Sequence, residues 1–241
     1  MKKLLLVSIL FISIHSYSQS IGNFTSVTPG VQTQQFVIPS THTFQKIIEV
    51  GDALNVGGPL PSNPDFTGYV PISASSTNGY LSINHELGPG AVTVLDINFN
   101  AANKLWTTTS SQAIDFSSVV GTFANCSGTV TPWGTIISSE EYPINIDSNS
   151  DGYNDIGWNV EIDPATKTVI GKLWAMGNFA HENVTIHANH RTVYQGADSN
   201  PGYLYKFVAT NTQNLNDGLL YVYVGLKNGS GNWVLINNTT Q

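Results

Sequence analysis

Residues 125–141 read NCSGTVTPWGTIISSEE. Pro132 to Gly134 form a turn, and the β-branched run Thr135 to Ser139 that follows is a strand ending in Glu140 and Glu141. A second stretch, residues 177–182, reads GNFAHE and places Glu182 at the head of another apolar run, Val184 to His187. A third, NHE at Asn84 to Glu86, closes the run that starts at Tyr80. Carboxylates set against apolar strands are costly unless protons or cations compensate them. These three stretches therefore point to a metal cluster lined by glutamates.

Working outward, short strand candidates recur along the chain. They are Tyr80–Asn84, Val92–Asn98, Lys104–Thr109, Thr135–Ser139, Trp158–Ile162 and Thr168–Ala175, then Val184–His187, Thr192–Gln195, Tyr203–Val208, Leu219–Val224 and Trp233–Ile236. Asn78-Gly79, Asp163-Pro164 and Asn228-Gly229 read as turns between them. Gly51 to Pro71, with GGPLPSNP at its centre, reads as a loop. Short helical turns fit near Ser111 to Val119. The spacing of roughly ten residues fits an all-β sandwich, barrel or propeller. No repeat of about 40–50 residues is visible that would choose among them.

Composition agrees. The chain has 241 residues, 41% hydrophobic and 10% charged, with 22 Gly and 11 Pro, which favours a turn-rich β protein with a substantial core. A formal charge of −7 and only 9 Lys and Arg, without a basic patch, argue against nucleic-acid binding. Residues 1–18 have the basic start, short apolar run and polar end of a secretory signal. No later segment is apolar enough to span a membrane. We divide the chain into the signal (1–18), an extended segment and loop (19–67) and a β domain (68–241). Cys126 is the lone cysteine, which excludes an internal disulfide. It reads either as a small buried side chain or as a ligand or reactive thiol.

Strand alternation orients the acids. It puts Glu182, Val184 and Ile186 on one face and His181, Asn183, Thr185 and His187 on the other. It also separates His85 from Glu86 and Glu140 from Glu141. Carboxylate oxygens are hard ligands that select Ca2+, Mg2+, Mn2+ or Fe3+. A second metal signal is DSNSDGYND at residues 147–155. Asp147, Asn149, Asp151, the Tyr153 carbonyl and Asp155 follow the start of an EF-hand-like calcium loop, but position twelve is Trp158 in place of glutamate. The alternative is an Asx-rich turn.

The three blocks resemble, in order, those of the PhoX-type secreted alkaline phosphatases: an NHE strand, a block like NC-(A/S)-GG-x-TPWGTWL-x-x-EE, and a GRF-x-HE block before an apolar strand. The resemblance spans roughly residues 68–207. It implies a β-propeller, here partial and lacking C-terminal blades. It implies Ca2+ and Fe3+ as cofactors, with Glu140 and Glu182 foremost among the metal ligands, then Glu86 and Glu141. The family's iron-bound cysteine is expected just before NHE, where this chain has Ser82. Asn178 replaces the arginine of GRF. The implied function is a secreted, periplasmic or cell-surface hydrolase of small phosphate esters. The alternative is a non-catalytic, calcium-stabilised propeller module.

Overall fold

The computed structural model describes residues 25–31, 33 and 35–236. The signal stretch 1–18 lies outside the described residues. The chain divides into two units, Met1–Gln45 and Lys46–Gln241. The described residues of the first hold no strand or helix. All described strands belong to the second.

The strands are β1 (Pro64–Pro71), β2 (Asn78–His85), β3 (Ala91–Asn100), β4 (Leu105–Ala113), β5 (Asn125–Val130), β6 (Ile136–Glu140) and β7 (Asn159–Asp163). They continue as β8 (Thr168–Lys172), β9 (His181–Ile186), β10 (Thr192–Ala197), β11 (Leu204–Asn211), β12 (Asn214–Gly225) and β13 (Gly231–Ile236). They form three antiparallel meanders in chain order: β1-β2-β3-β4, β5-β6-β7-β8 and β9-β10-β11-β12-β13. The first strand of the middle sheet, β5, touches both other first strands, β1 and β9. Sheets stacked this way, first strands side by side, make an all-β, propeller-like array.

Each interface between sheets has its own core. Val70, Val92, Val94, Ile136, Val160 and Ile162 pack between the first and second sheets. Ile137, Val184, Val193, Phe207 and Leu220 pack between the second and third. Ile136 and Ile137 thus serve opposite interfaces. This is why β6, IISSE, is buried at every position and shows no polar alternation. Full burial of each such side chain contributes about 1.5–3 kcal/mol. The far face of the first sheet is covered by Leu54 and Leu60, with Ile47 and Ile48 beside them.

Eleven strand readings fall on observed strands, but two strands escape the pattern. β1 lies in the stretch read as a loop; its prolines sit at its two ends on a sheet edge, where a missing N–H costs no ladder bond. β5 is short and glycine-broken. Asn78-Gly79 opens β2 and is not a turn. A Cβ on Gly79 would lie 2.5 Å from the Val70 carbonyl, so this glycine serves close strand approach. The run ending at Ala175 stops at Lys172, where a 3-10 turn, Trp174–Met176, takes over. The helical turn read near 111–119 reduces to Ser117–Val119.

Candidate metal centre

Each sheet repeats one construction at the same end. The first residue of its first strand pairs with the last residue of its second: Pro64 with His85, Asn125 with Glu140, His181 with Ala197. The residue after each second strand donates its N–H to the residue before each first strand. Glu86 reaches Asn63 O at 3.0 Å, Glu141 reaches Ala124 O at 3.1 Å, and Asp198 reaches Ala180 O at 3.1 Å. Two side chains per sheet therefore sit at matching positions. They are Asp65 with Glu86, Cys126 with Glu141, and Glu182 with Asp198.

A β-bulge marks every one of these first strands. The register shifts between Pro64 and Thr67 in β1 and between Asn125 and Gly128 in β5; in the third sheet it shifts opposite Gly196 and Ala197, at Glu182. A bulge breaks alternation and re-aims the side chains around it. It corrects the alternation expected for β9: His181 and Val184 are both buried, while Glu182 and Asn183 between them are exposed.

The six side chains meet. Ligand atoms of Asp65, Glu86 and Cys126 lie within 4.8 Å of one another, as do those of Glu141, Glu182 and Asp198. Cys126 links the two groups, its Sγ lying 3.3 Å from Asp65 Oδ2 and 4.0 Å from Glu182 Oε2. Glu141 links them again, sharing hydrogen bonds with Asp198 and Glu86. At about 4 Å, each pair of ionised carboxylates repels by about 4 kcal/mol at an effective dielectric of 20. The acids respond accordingly. Burial first, then Asp198 and Glu86, push Glu141 up to about 7. Burial, then Asp198, Asp65 and Glu86, raise Glu182. Burial and the Asp65 carboxylate push the Cys126 thiol far above its ordinary range. The ionisable neighbours that raise Glu141 and Glu182 most are other carboxyl groups, Asp198 and Glu86 for both and Asp65 for Glu182. A cation would reverse each of these shifts. The donor set of five carboxylates and one thiol suits hard cations, with one softer position at Cys126.

Three of the four glutamates read as ligands, Glu86, Glu141 and Glu182, are in this cluster. Glu140 is not. Its carboxylate is fully buried and accepts N–H bonds from Phe123 (2.9 Å), Gly157 (3.1 Å) and Trp158 (3.0 Å), with Lys172 Nζ at 3.6 Å. Alternation explains the split: Glu140 ends β6 pointing inward, and Glu141 points the other way. Burial disfavours charge on both partners, raising Glu140 and lowering Lys172, and their mutual attraction opposes it. Lys172 also donates to the Asp155 carbonyl.

Ser82 lies inside β2, opposite Gly68 and Val94 and three residues before the strand ends at His85, buried and with no hydroxyl partner among the described residues. The sulfur nearest these acids is that of Cys126, which is buried, as one reading of that residue has it, and lies beside Asp65, as the other has it. Asp65 and Asp198 escaped the sequence reading. Asp65 lay in apparent loop, and Asp198 follows a strand with no acidic neighbour to draw notice. Asn178 supports structure: its amide donates to Ile156 O at 2.9 Å and Gly157 O at 3.1 Å. Arg191 is at the opposite end of the β9–β10 hairpin from Glu182, its Nε donating to Ala209 O at 2.9 Å. Buried His181 stays neutral, lowered to about 4 by desolvation. Its Nε2 faces Gly177 O at 3.0 Å, so that nitrogen carries the proton, and Nδ1 accepts from Asn159.

The loop at 147–155 is built from its own Asx turns. Asp147 accepts from the Asp151 and Gly152 amides, Asn149 from Asp151, Asp151 from Tyr153, and Asp155 from Ser148. Tyr153 stacks on Trp174 at 4.6 Å, which ties the loop down. Among the described residues, its acids do not converge as the six site residues do.

No curated protein matches this chain. Among solved structures, the fold is similar to Pseudomonas fluorescens PhoX in complex with vanadate, a transition state analogue. The TM-score is 0.58 at 20% identity, over 74% of this chain and 49% of that one. This chain thus spans about half the length of that relative. The family described as alkaline phosphatase PhoX matches residues 91–241. That stretch runs from the start of β3 and contains four of the six converging side chains, Cys126, Glu141, Glu182 and Asp198; the chain belongs to the PhoX alkaline phosphatase family.

Proposed function

We propose that this protein is a secreted, metal-dependent hydrolase of small phosphate esters. One observation carries the reading: three sheets each deliver two ligand-bearing residues to one place, with five acids and a thiol meeting there. Asp65, Glu86, Glu141, Glu182 and Asp198 hold cations, Ca2+ first among them. Cys126 supplies a sulfur ligand that suits Fe3+ better than the serine expected in that role. When bound, such cations hold phosphoryl oxygens, stabilise transition-state charge and activate an oxygen nucleophile. The chain's own part is to aim the ligands by the bulges in β1, β5 and β9. The 1–18 signal supports export, with cations acquired afterwards. The Asp147–Asp155 loop joins the reading as a separate calcium site on its ligand pattern alone.

The test is a metal assay of purified protein, with turnover of a chromogenic phosphomonoester measured with Ca2+ and Fe3+ added. We expect bound metal, and turnover abolished in Glu182→Ala. A second reading, a non-catalytic calcium-stabilised propeller module, is favoured by Asn178 and Arg191, neither of which offers a cation to a phosphate at the cluster. Metal uptake without turnover selects it. Protein that takes up no metal overturns both.

A further inference from the structure

We infer that Asn84 is a positioning residue that holds the Cys126 thiol in the cluster, an inference that rests on the metal-centre reading above. Asn84 belongs to β2, in the first sheet, and is fully buried. Its Nδ2 donates across the sheet interface to Cys126 O at 3.0 Å and Ser127 O at 2.8 Å. Two carbonyls can be met only by the amino group, so the orientation of the amide is set by chemistry. The two acceptors are the residues at which β5 bulges. A bulge leaves backbone groups outside the ladder, and Asn84 takes up the carbonyls there. The same bulge turns the Cys126 side chain toward Asp65 of the first sheet, 3.3 Å away.

The approach is purpose-built on both sides. Gly128 leaves room for it: a Cβ there would lie 2.3 Å from Ile137 O and 3.3 Å from Asn84 Nδ2. Among the described residues Asn84 Oδ1 is buried without a hydrogen-bond partner, and the contacts that cross the interface are both made by its amino group. Asn84 therefore joins the sheet that carries Asp65 and Glu86 to the bulge that carries the sulfur. Residues that orient a ligand from behind typically change metal affinity by about 10–100-fold when removed.

Cobalt(II) is the probe, because a cobalt–thiolate bond has a near-ultraviolet charge-transfer band that carboxylate ligation lacks. Wild type titrated with Co2+ should show the band, and Cys126→Ser should lose it. Asn84→Ala should need about 10-fold more Co2+, or more, to develop the band. Leu95→Ala, a core truncation away from the cluster, should leave the cobalt titration as in wild type while lowering the melting temperature. If Asn84→Ala does not fold, Asn84→Ser keeps a single donor and should show the same weakening in smaller degree. An unchanged titration in a folded Asn84 variant overturns the positioning role and leaves the metal centre standing. No thiolate band in wild type overturns the placement of Cys126 in a metal centre, and the inference with it.

Discussion

At the residue scale, adjacent glutamates have opposite fates. Glu140 and Glu141 are chemically identical and neighbours in sequence, yet one is sealed among backbone amides and Lys172 while the other joins a group of acids. Glu140→Ala leaves Lys172 buried without its counter-charge, which should destabilise the fold by about 3–5 kcal/mol. Adding Lys172→Met should recover much of that loss. Urea melts of the two single variants and the double check this, and equal stability of Glu140→Ala and wild type would refute the assignment. Cys126→Ser, by contrast, should cost little stability and act on sulfur-dependent metal uptake. Glu141 and Glu182 were legible as acids at strand ends. Cys126 was legible only as a lone thiol, since nothing in its local sequence shows that Asp65 will lie beside it.

At the element scale, the bulges and turns determine what a side chain can reach. Gly128→Ala would bring a methyl carbon to 2.3 Å from Ile137 O, so β5 would have to move. We expect clear destabilisation, about 1–3 kcal/mol as for overpacking elsewhere, measured by thermal melting. The Asp147–Asp155 loop permits a sharp comparison. Asp147→Ala removes the acceptor for two loop amides and should cost about 1 kcal/mol without calcium. If calcium occupies the loop, added calcium should raise the wild-type melting temperature more than that of Asp147→Ala, and a common response places the calcium effect elsewhere. Alternation predicted the division between Glu140 and Glu141. It failed at His181 because a bulge is a property of strand pairing, and the partner residues Gly196 and Ala197 are remote in sequence.

On the scale of the whole molecule, the clustered acids link stability to pH. Glu141 has an ordinary value of 4.5 and is raised to about 7 in the folded, metal-free chain. The folded state therefore binds the proton more tightly than the unfolded state does. This contribution to stability is fully present below pH 4.5 and is lost as pH rises to about 7. Metal-free protein should thus melt lower at pH 8 than at pH 5.5, and saturating cation should remove or invert the difference. For the same reason, cation affinity should fall as pH drops below about 7, because binding must displace the shared protons. Calorimetry in buffers of different ionisation enthalpy would register proton release on binding; its absence would argue against Glu141 as a ligand.

The sequence by itself determined the all-β class, most of the strands and three of the acids at their ends, because strand periodicity and turn chemistry are local. It also carried the blocks at 125–141 and 177–182, which lie inside the stretch that matches the family. Tertiary structure alone decided which carboxylates share a site. It placed Asp65, Cys126 and Asp198 there and withdrew Glu140. Convergence depends on how three sheets stack and where each first strand bulges, and both arise from contacts between residues far apart along the chain.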